Sequence, residues 1–157
     1  MLTPKQFAAL KIAVTAATES QAVTGCPREL TIAQWALESG WGAHVPDGSN
    51  NPFGIKARPG DPFVAAATSE WSNALNRFVI GPANFIRFTT LQDAFNWHGA
   101  LLVKGKPYRD AFLHYLIDGD LNDLITQVAS RYATDPHYAV KIRSIIGRKE
   151  VQGALKT

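Results

Sequence analysis

The residue whose type and position best suit chemistry is Glu38, the one carboxylate in the apolar segment 31–42, TIAQWALESGWG. The pattern predicts that Glu38 lies in the last turn of a helix that ends at Gly40. The unpaired carbonyl groups of a helix C-terminus and apolar neighbours such as Trp35 both disfavour a negative charge, so the pKa of Glu38 should be raised. A carboxyl group that keeps its proton near neutral pH can protonate a leaving oxygen. The alternative is a solvated glutamate at the end of a helix.

A second carboxylate is needed by most hydrolytic sites built on carboxyl groups, to stabilise a developing cation or to activate water. Glu70, in the segment ATSEW, is the best candidate because it lies on a predicted hairpin that could face Glu38 across a cleft. The alternative is an exposed carboxylate on a strand. Glu19, Glu29 and Glu150 have weaker claims because each lies in a segment predicted to be exposed helix or chain end.

Aromatic side chains near these segments suit contact with sugar rings, although most aromatic residues fill cores. We expect Trp41, Trp71 and Tyr132 to be ligand contacts. The predicted core aromatics are Trp35, Phe95, Trp97 and Phe112.

The sequence lacks the motifs of metal sites, disulfides, serine nucleophiles and nucleotide-binding sites. The four histidines show no His-Glu-x-x-His spacing and Cys26 is the only cysteine, so we expect no metal site and no internal disulfide. There is no Gly-x-Ser-x-Gly elbow and no phosphate-binding glycine loop, so neither a serine nucleophile nor nucleotide chemistry is favoured, and we expect no cofactor. Cys26 should be structural.

The elements that must position Glu38 are mostly helices. Capping residues, glycines and apolar periodicity predict helices at about 3–23, 27–39, 91–103, 108–118, 121–131 and 136–147. The second should be the buried central helix, because it is apolar on most sides. Residues 40–62 are predicted to be a functional loop. Strands at about 63–71 and 84–89, with turn residues Asn73, Asn76, Gly81 and Pro82 between them, predict a β-hairpin lobe spanning about 53–89.

Length and composition indicate one globular domain over residues 1–157, with 46% hydrophobic residues and a net charge of +3. So mild a charge does not imply strong nucleic-acid binding. We also expect a monomer. The sequence shows no signal peptide and no run long enough to span a membrane, which predicts synthesis in the cytoplasm and no stable membrane insertion.

Three separated motifs resemble those of the glucosaminidase family, glycoside hydrolase family 73, in the expected order. They are AQWALESGWG at 33–42, SNNPFGIKA at 49–57 and YATDPHYA at 132–139. The resemblance covers nearly the whole chain. It implies a lysozyme-like helical fold with a β-lobe, and an enzyme that cleaves peptidoglycan glycan strands after N-acetylglucosamine.

Carried onto this sequence, the resemblance implies that Glu38 is the general acid and Tyr132 an active-site tyrosine. Asn51, Phe53 and Gly54 match a substrate-binding loop, in which Pro52 replaces the family's common leucine. Glu70 is similar to a hairpin acid of many members, although residues 73–83 look like an insertion. By this resemblance Glu70, or the substrate's own acetamido group, would complete the site.

Three alternatives stay open at this point. Lytic transglycosylases and muramidases share the fold and a similar helix end but act on the muramic acid side, and a catalytically silent glycan-binding domain would bind without cleaving. A chain made without a signal peptide would reach the wall by phage lysis, as endolysins do, or by a secretion machine.

Overall fold

Seven helices and one β-hairpin make up the part of the chain that the computed structural model describes, residues 1–72 and 74–156. The side chains of Glu70 and Trp71 lie outside that description. In chain order the elements are α1 (Pro4–Thr24), α2 (Arg28–Ser39), β1 (Phe63–Ser72), β2 (Arg77–Ile86), α3 (Leu91–Lys104), α4 (Arg109–Asp118), α5 (Leu121–Tyr132), α6 (Tyr138–Ile146) and α7 (Lys149–Ala154).

Helix α2 is the buried central helix, as predicted. Every residue from Leu30 to Ala36 is buried, so the helix is covered on all sides along this stretch. It packs against α1, α3 and α6, and it contributes to both apolar clusters of the core: Ile32 and Trp35 belong to one and Leu30 to the other. Because α2 is fixed from three directions, its C-terminal turn is a rigid platform for Glu38.

Helix ends follow the local signals in the sequence. Thr3 and Thr90 each form a capping box, and the Asp120 side chain accepts from the backbone N–H of Asp123 at 3.0 Å. Gly25 and Gly40 end α1 and α2 in the left-handed conformation, with φ of 82° and 57°.

The hairpin lobe is confirmed, but its second strand is longer and earlier than predicted. Strand β2 runs from Arg77 to Ile86 and pairs antiparallel with β1, so Gly81 and Pro82 lie inside the strand and not in the turn. A proline is tolerated there because β1 and β2 form a two-stranded sheet, in which each strand is an edge strand. The predicted turn residue Asn73 lies outside the described residues, whereas Asn76 has the positive φ of 49° typical of a turn.

Two features at the C-terminal end differ from the prediction. Helix α6 begins at Tyr138, after a turn in which Asp135 Oδ1 accepts from the His137 N–H at 2.8 Å, so Pro136 precedes the helix. Asp135 therefore caps this turn and not the first turn of α6. The short helix α7 was not predicted at all, because six residues show too little periodicity.

Most predicted core positions are confirmed, and one needs correction. Phe95 and Phe112 are buried, and Cys26 is buried with its thiol pKa raised to about 12 by desolvation. Trp97 is only partly buried: the Arg58 guanidinium lies 5.9 Å from its ring centre, and the Phe88 ring packs against it in a T-shaped arrangement. No helix among the described residues is long and apolar enough to cross a membrane.

The contact between α1 and α3 depends on Gly99. A Cβ atom at this position would lie 2.5 Å from Thr24 Oγ1 and 2.9 Å from Ser20 Oγ, and both hydroxyl groups already donate to backbone carbonyls. We expect Gly99→Ala to lower the free energy of unfolding by about 1–3 kcal/mol through this overpacking. Urea denaturation measures it. Gly153→Ala, in α7 with open space around the site, is the matched control and should not destabilise the fold.

Candidate active site

The end of α2 holds Glu38 above an unusually tight turn. Gly40, Trp41 and Gly42 follow one another with positive φ of 57°, 63° and 83°, which reverses the chain immediately after the helix. The N–H of Trp41 donates to the carbonyl of Ala36 at 3.0 Å, and the Ser39 hydroxyl accepts from the Gly42 N–H at 2.8 Å. These bonds fix the backbone on the C-terminal side of Glu38.

The Glu38 carboxylate is held by Tyr138, the first residue of α6. The Tyr138 hydroxyl donates to Glu38 Oε1 at 2.8 Å, and it accepts from Gln34 Nε2 at 3.3 Å. Gln34 is fully buried one helical turn before Glu38, so the three side chains form a short hydrogen-bonded chain from the core to the surface.

The electrostatics of Glu38 favour its protonated form. Part of the side chain is open to solvent, but the surroundings of the carboxyl group desolvate it, and this desolvation raises its pKa. The hydrogen bond from Tyr138 acts in the opposite direction and is the smaller effect. The expectation from the sequence, a carboxyl group with a raised pKa at a helix end, is therefore supported by the structure.

Tyr132 stands beside this pair at the C-terminal end of α5. Its ring stacks on that of Tyr138, with 5.7 Å between ring centroids and 29° between planes. Burial and the nearby Glu38 raise the pKa of Tyr132, so its hydroxyl stays protonated and can donate a hydrogen bond. The structure thus brings Glu38 and Tyr132 together, with Tyr138 as the direct partner of the carboxylate.

A buried layer of rings connects the tyrosines to the loop at 49–57. His98, on α3, stacks on Phe53 with 4.0 Å between centroids and 11° between planes, and it meets the Tyr132 ring edge-on at 6.2 Å. His98 is fully buried, and within the described part of the chain neither of its ring nitrogens has a hydrogen-bond partner. Desolvation lowers its pKa from 6.5 to about 3, so His98 is neutral.

The loop itself is shaped by Asn51, whose side chain is fully buried. Asn51 Nδ2 donates to the carbonyl groups of Ile55 and Ile86 at 2.8 Å and 3.0 Å, and its Oδ1 accepts from the Ile55 N–H. Gly54 has a φ of 62°, which favours glycine at this turn. Asn51 and Phe53 are therefore internal supports of the loop, because their side chains are buried and engaged within the fold.

Of the remaining predicted site residues, Trp41 lies in the turn after Glu38, and the side chains of Glu70 and Trp71 lie outside the described residues. Trp41 is partly buried, and its ring contacts among the described residues are Trp35 and Arg148. The backbone of Glu70 pairs with Val79 and that of Trp71 with Phe78, on the hairpin; their side chains lie outside the described residues. Within residues 1–72 and 74–156, no cluster of three metal-ligating side chains occurs.

Comparison with known proteins identifies the family of this chain. The model of the family described as mannosyl-glycoprotein endo-beta-N-acetylglucosaminidase matches residues 14–150. The chain belongs to the glucosaminidase family. This membership confirms the resemblance drawn from the three sequence motifs.

Two relatives are 30% and 33% identical to this chain over the residues that match. The chain is 30% identical over 125 residues to the exo-glucosaminidase LytG of Bacillus subtilis, covering 78% of this chain and 44% of LytG. It is 33% identical over 130 residues to the peptidoglycan hydrolase FlgJ of Salmonella typhimurium, covering 78% of this chain and 40% of FlgJ. The chain thus spans less than half the length of these relatives.

Solved structures of glucosaminidase-like domains confirm the helical architecture with its hairpin lobe. The truncated glycoside hydrolase domain of Salmonella typhimurium FlgJ superposes with a TM-score of 0.69 at 27% identity, covering 90% of this chain and 95% of that domain. The catalytic domain of the autolysin Auto from Listeria monocytogenes gives a TM-score of 0.81 at 23% identity over 98% of this chain and 89% of that one, a likeness of fold.

Three residues of this candidate site were missed from the sequence. Tyr138 lies in the motif at 132–139, Gln34 in the predicted central helix and His98 among the four histidines, and none of them was predicted to be a site residue. A signal existed for Tyr138 alone, because the hydroxyl group of a buried tyrosine usually finds a partner. The other two depend on contacts between distant elements.

The buried His98 should make the stability of the fold sensitive to acid. The native state keeps His98 neutral to about pH 3, whereas the unfolded chain protonates it near 6.5. Between these values the unfolded state binds more protons, so stability falls as the pH falls, by up to about 1.4 kcal/mol per pH unit from this proton. We expect His98→Phe, which keeps a flat ring against Phe53, to remove that component and to raise stability at pH 5.

Chemical denaturation between pH 4 and 7 tests this expectation. The control is His114→Gln, which changes an exposed histidine and should keep the wild-type slope. Equal slopes for the wild type and His98→Phe would contradict the account.

Proposed function

We propose that this chain is a peptidoglycan hydrolase that cleaves the β-1,4 glycosidic bond after N-acetylglucosamine, with Glu38 as the general acid. The observation that carries the proposal is the Tyr138 to Glu38 hydrogen bond of 2.8 Å at a helix end where desolvation favours the neutral carboxyl group. Membership of the glucosaminidase family and the named activities of LytG and FlgJ support the substrate class.

The hydrogen bond also orients the acid. Because Glu38 Oε1 accepts the proton of Tyr138, the carboxyl proton of neutral Glu38 resides on Oε2, which is then the atom that delivers it. Transfer to the glycosidic oxygen lets the bond between that oxygen and C1 of N-acetylglucosamine break, and the sugar carries the resulting positive charge. Water then adds at C1 and loses a proton to a base.

The second group of the reaction is Glu70 or the acetamido group of the substrate. Glu70 lies on β1 of the hairpin lobe, the element that a lysozyme-like fold sets across from the acid. A carboxyl separation of about 5 Å would favour a retaining route, and one of about 6.5–9.5 Å an inverting route. Tyr132, protonated beside Glu38, would orient the acetamido group or the attacking water.

Binding of the glycan would use the aromatic and loop residues near this site. We propose Trp41 and Trp71 as faces for sugar rings, with Asn51, Phe53 and Gly54 holding the loop in shape from within. The chain would act as one catalytic domain on peptidoglycan. Monomeric state, the lack of a cofactor and delivery by phage lysis or a secretion machine stay predictions from the sequence.

Mass spectrometry of digested peptidoglycan tests the bond that is cleaved. The proposal predicts fragments with N-acetylglucosamine at the new reducing ends. Muramic acid at those ends would show a muramidase and anhydro-muramic ends a lytic transglycosylase, and binding without fragments would show a silent domain. Each of these three outcomes would overturn the proposal.

Replacement of Glu38 tests the general acid. We expect Glu38→Gln to lower kcat on peptidoglycan by at least about a hundredfold while the fold stays intact, because the amide cannot donate an acidic proton. Release of soluble fragments measures it. Glu29→Gln, which removes a carboxylate from the first turn of the same helix, is the control and should keep wild-type turnover. Near-normal lysis by Glu38→Gln would remove Glu38 from the mechanism.

Replacement of Tyr138 tests the tuning of that acid. The Tyr138 hydrogen bond lowers the pKa of Glu38, so its loss in Tyr138→Phe should raise that pKa further. A general acid must be protonated, so the alkaline limb of the kcat profile should move to higher pH, while kcat falls because the proton is no longer directed to Oε2. Tyr115→Phe, on α4, is the control. A limb that stays in place or moves to lower pH would contradict this role.

A further inference from the structure

Arg148 contacts Trp41, three residues after Glu38, and Glu150 beside it is bonded to Leu2. Arg148, immediately before α7, places its guanidinium carbon 5.1 Å from the centre of the Trp41 ring. Arg148 Nη2 also lies 3.6 Å from Glu150 Oε1, which accepts from the Leu2 N–H at 3.3 Å.

Trp41 needs such support because of its backbone. Its φ of 63° is a conformation that residues other than glycine rarely adopt, and it stands between two glycines that share it. Backbone strain of this kind persists only where the surroundings hold it, and it is concentrated at functional sites.

Two contacts of the Trp41 ring supply this support. The Trp35 ring is nearly perpendicular to it, with 6.2 Å between centroids and 88° between planes, and the Arg148 guanidinium lies 5.1 Å from its centre. A Cβ atom on Gly42 would lie 3.3 Å from Ala9 Cβ and 3.4 Å from Trp35 Cζ2, so α1 leaves the turn little room to move. The turn is therefore enclosed by α1, α2 and the start of α7.

We propose that Arg148 and Glu150 are positioning residues for Glu38, which act through Trp41 by keeping the turn after α2 closed. The chain of contacts is direct. Glu150, whose Oε1 accepts from the Leu2 N–H, pairs with Arg148. Arg148 in turn packs on the Trp41 ring. The Trp41 N–H donates to the Ala36 carbonyl at 3.0 Å, which closes the turn that contains Glu38. The proposal rests on the role of Glu38 proposed above.

The contrary interpretation is a surface contact that affects stability alone. The Arg148 side chain is 34% exposed, and cation–π and ion pairs at such sites contribute little to folding. The two interpretations differ in what they predict for the titration of Glu38, which is faced by Tyr132 and Tyr138 from α5 and α6. A loosened turn would let water reach the carboxyl group, whereas a purely structural loss would lower only the amount of folded protein.

Arg148→Met tests the proposal, because it removes the cation and keeps an apolar stem. We expect kcat per folded molecule to fall about fivefold, the KM to stay within about twofold, and the alkaline limb of the kcat profile to move to lower pH. Arg148→Lys restores a cation over the ring and should recover most of the kcat. Glu150→Gln, which releases the anchor of Arg148, should show the same changes more weakly.

Lys11→Met is the matched control, since it removes a cation 5.0 Å from the ring of Phe7 on α1 and should leave kcat and the pH limb unchanged. The proposal is overturned if Arg148→Met keeps wild-type kcat, or if its kcat falls without a shift of the limb. Failure of the proposed function looks different. In that case wild-type protein releases no fragments, or Glu38→Gln keeps its activity.

Discussion

The hydrogen bond between Tyr138 and Glu38 is the interaction on which the account of this site depends. It joins two residues 100 positions apart in the sequence, and it exists only because the first turn of α6 packs against the last turns of α2. The bond gives the carboxyl group a defined orientation, and the surrounding desolvation keeps its pKa raised. A free glutamate at a helix end would have neither property, because water would solvate it and let it rotate.

The rest of the fold serves this pair by fixing its surroundings. Tyr132 and His98 continue the line of ring contacts from Tyr138 to Phe53. These contacts connect α6, α5, α3 and the loop at 49–57. Within the described residues, both ring nitrogens of the fully buried His98 are without a hydrogen-bond partner, a cost to stability that an apolar residue would avoid. Beyond Glu38, the turn at Trp41, which has a positive φ, is contacted by Arg148. Buried polar groups and a strained backbone both reduce the stability of the fold, and such features are concentrated at functional sites.

Local signals in the sequence predicted the helices well, because the causes are local. The capping boxes at Thr3 and Thr90 and the glycine that ends α2 act within four residues, and the helices that they start or end lie close to the predicted ranges. The second strand was placed too late because Gly81 and Pro82 are turn residues by local preference, and only the two-stranded pairing shows that an edge strand can hold them. Helix α7 depends on packing against α1, which no local pattern reports.

For the candidate site, the sequence pointed to Glu38 and not to the residues that contact it. Glu38 is marked by its own helix, whereas Tyr138 and Gln34 matter through contacts between α2 and α6. The central claim, that the surroundings of Glu38 raise the pKa of its carboxyl group, is tested most directly by carbon-13 NMR titration of the glutamate carboxyl signals, with Glu38 assigned by its loss in Glu38→Gln. The account predicts a Glu38 pKa clearly above the ordinary value of 4.5. A value at or below 4.5 would contradict it.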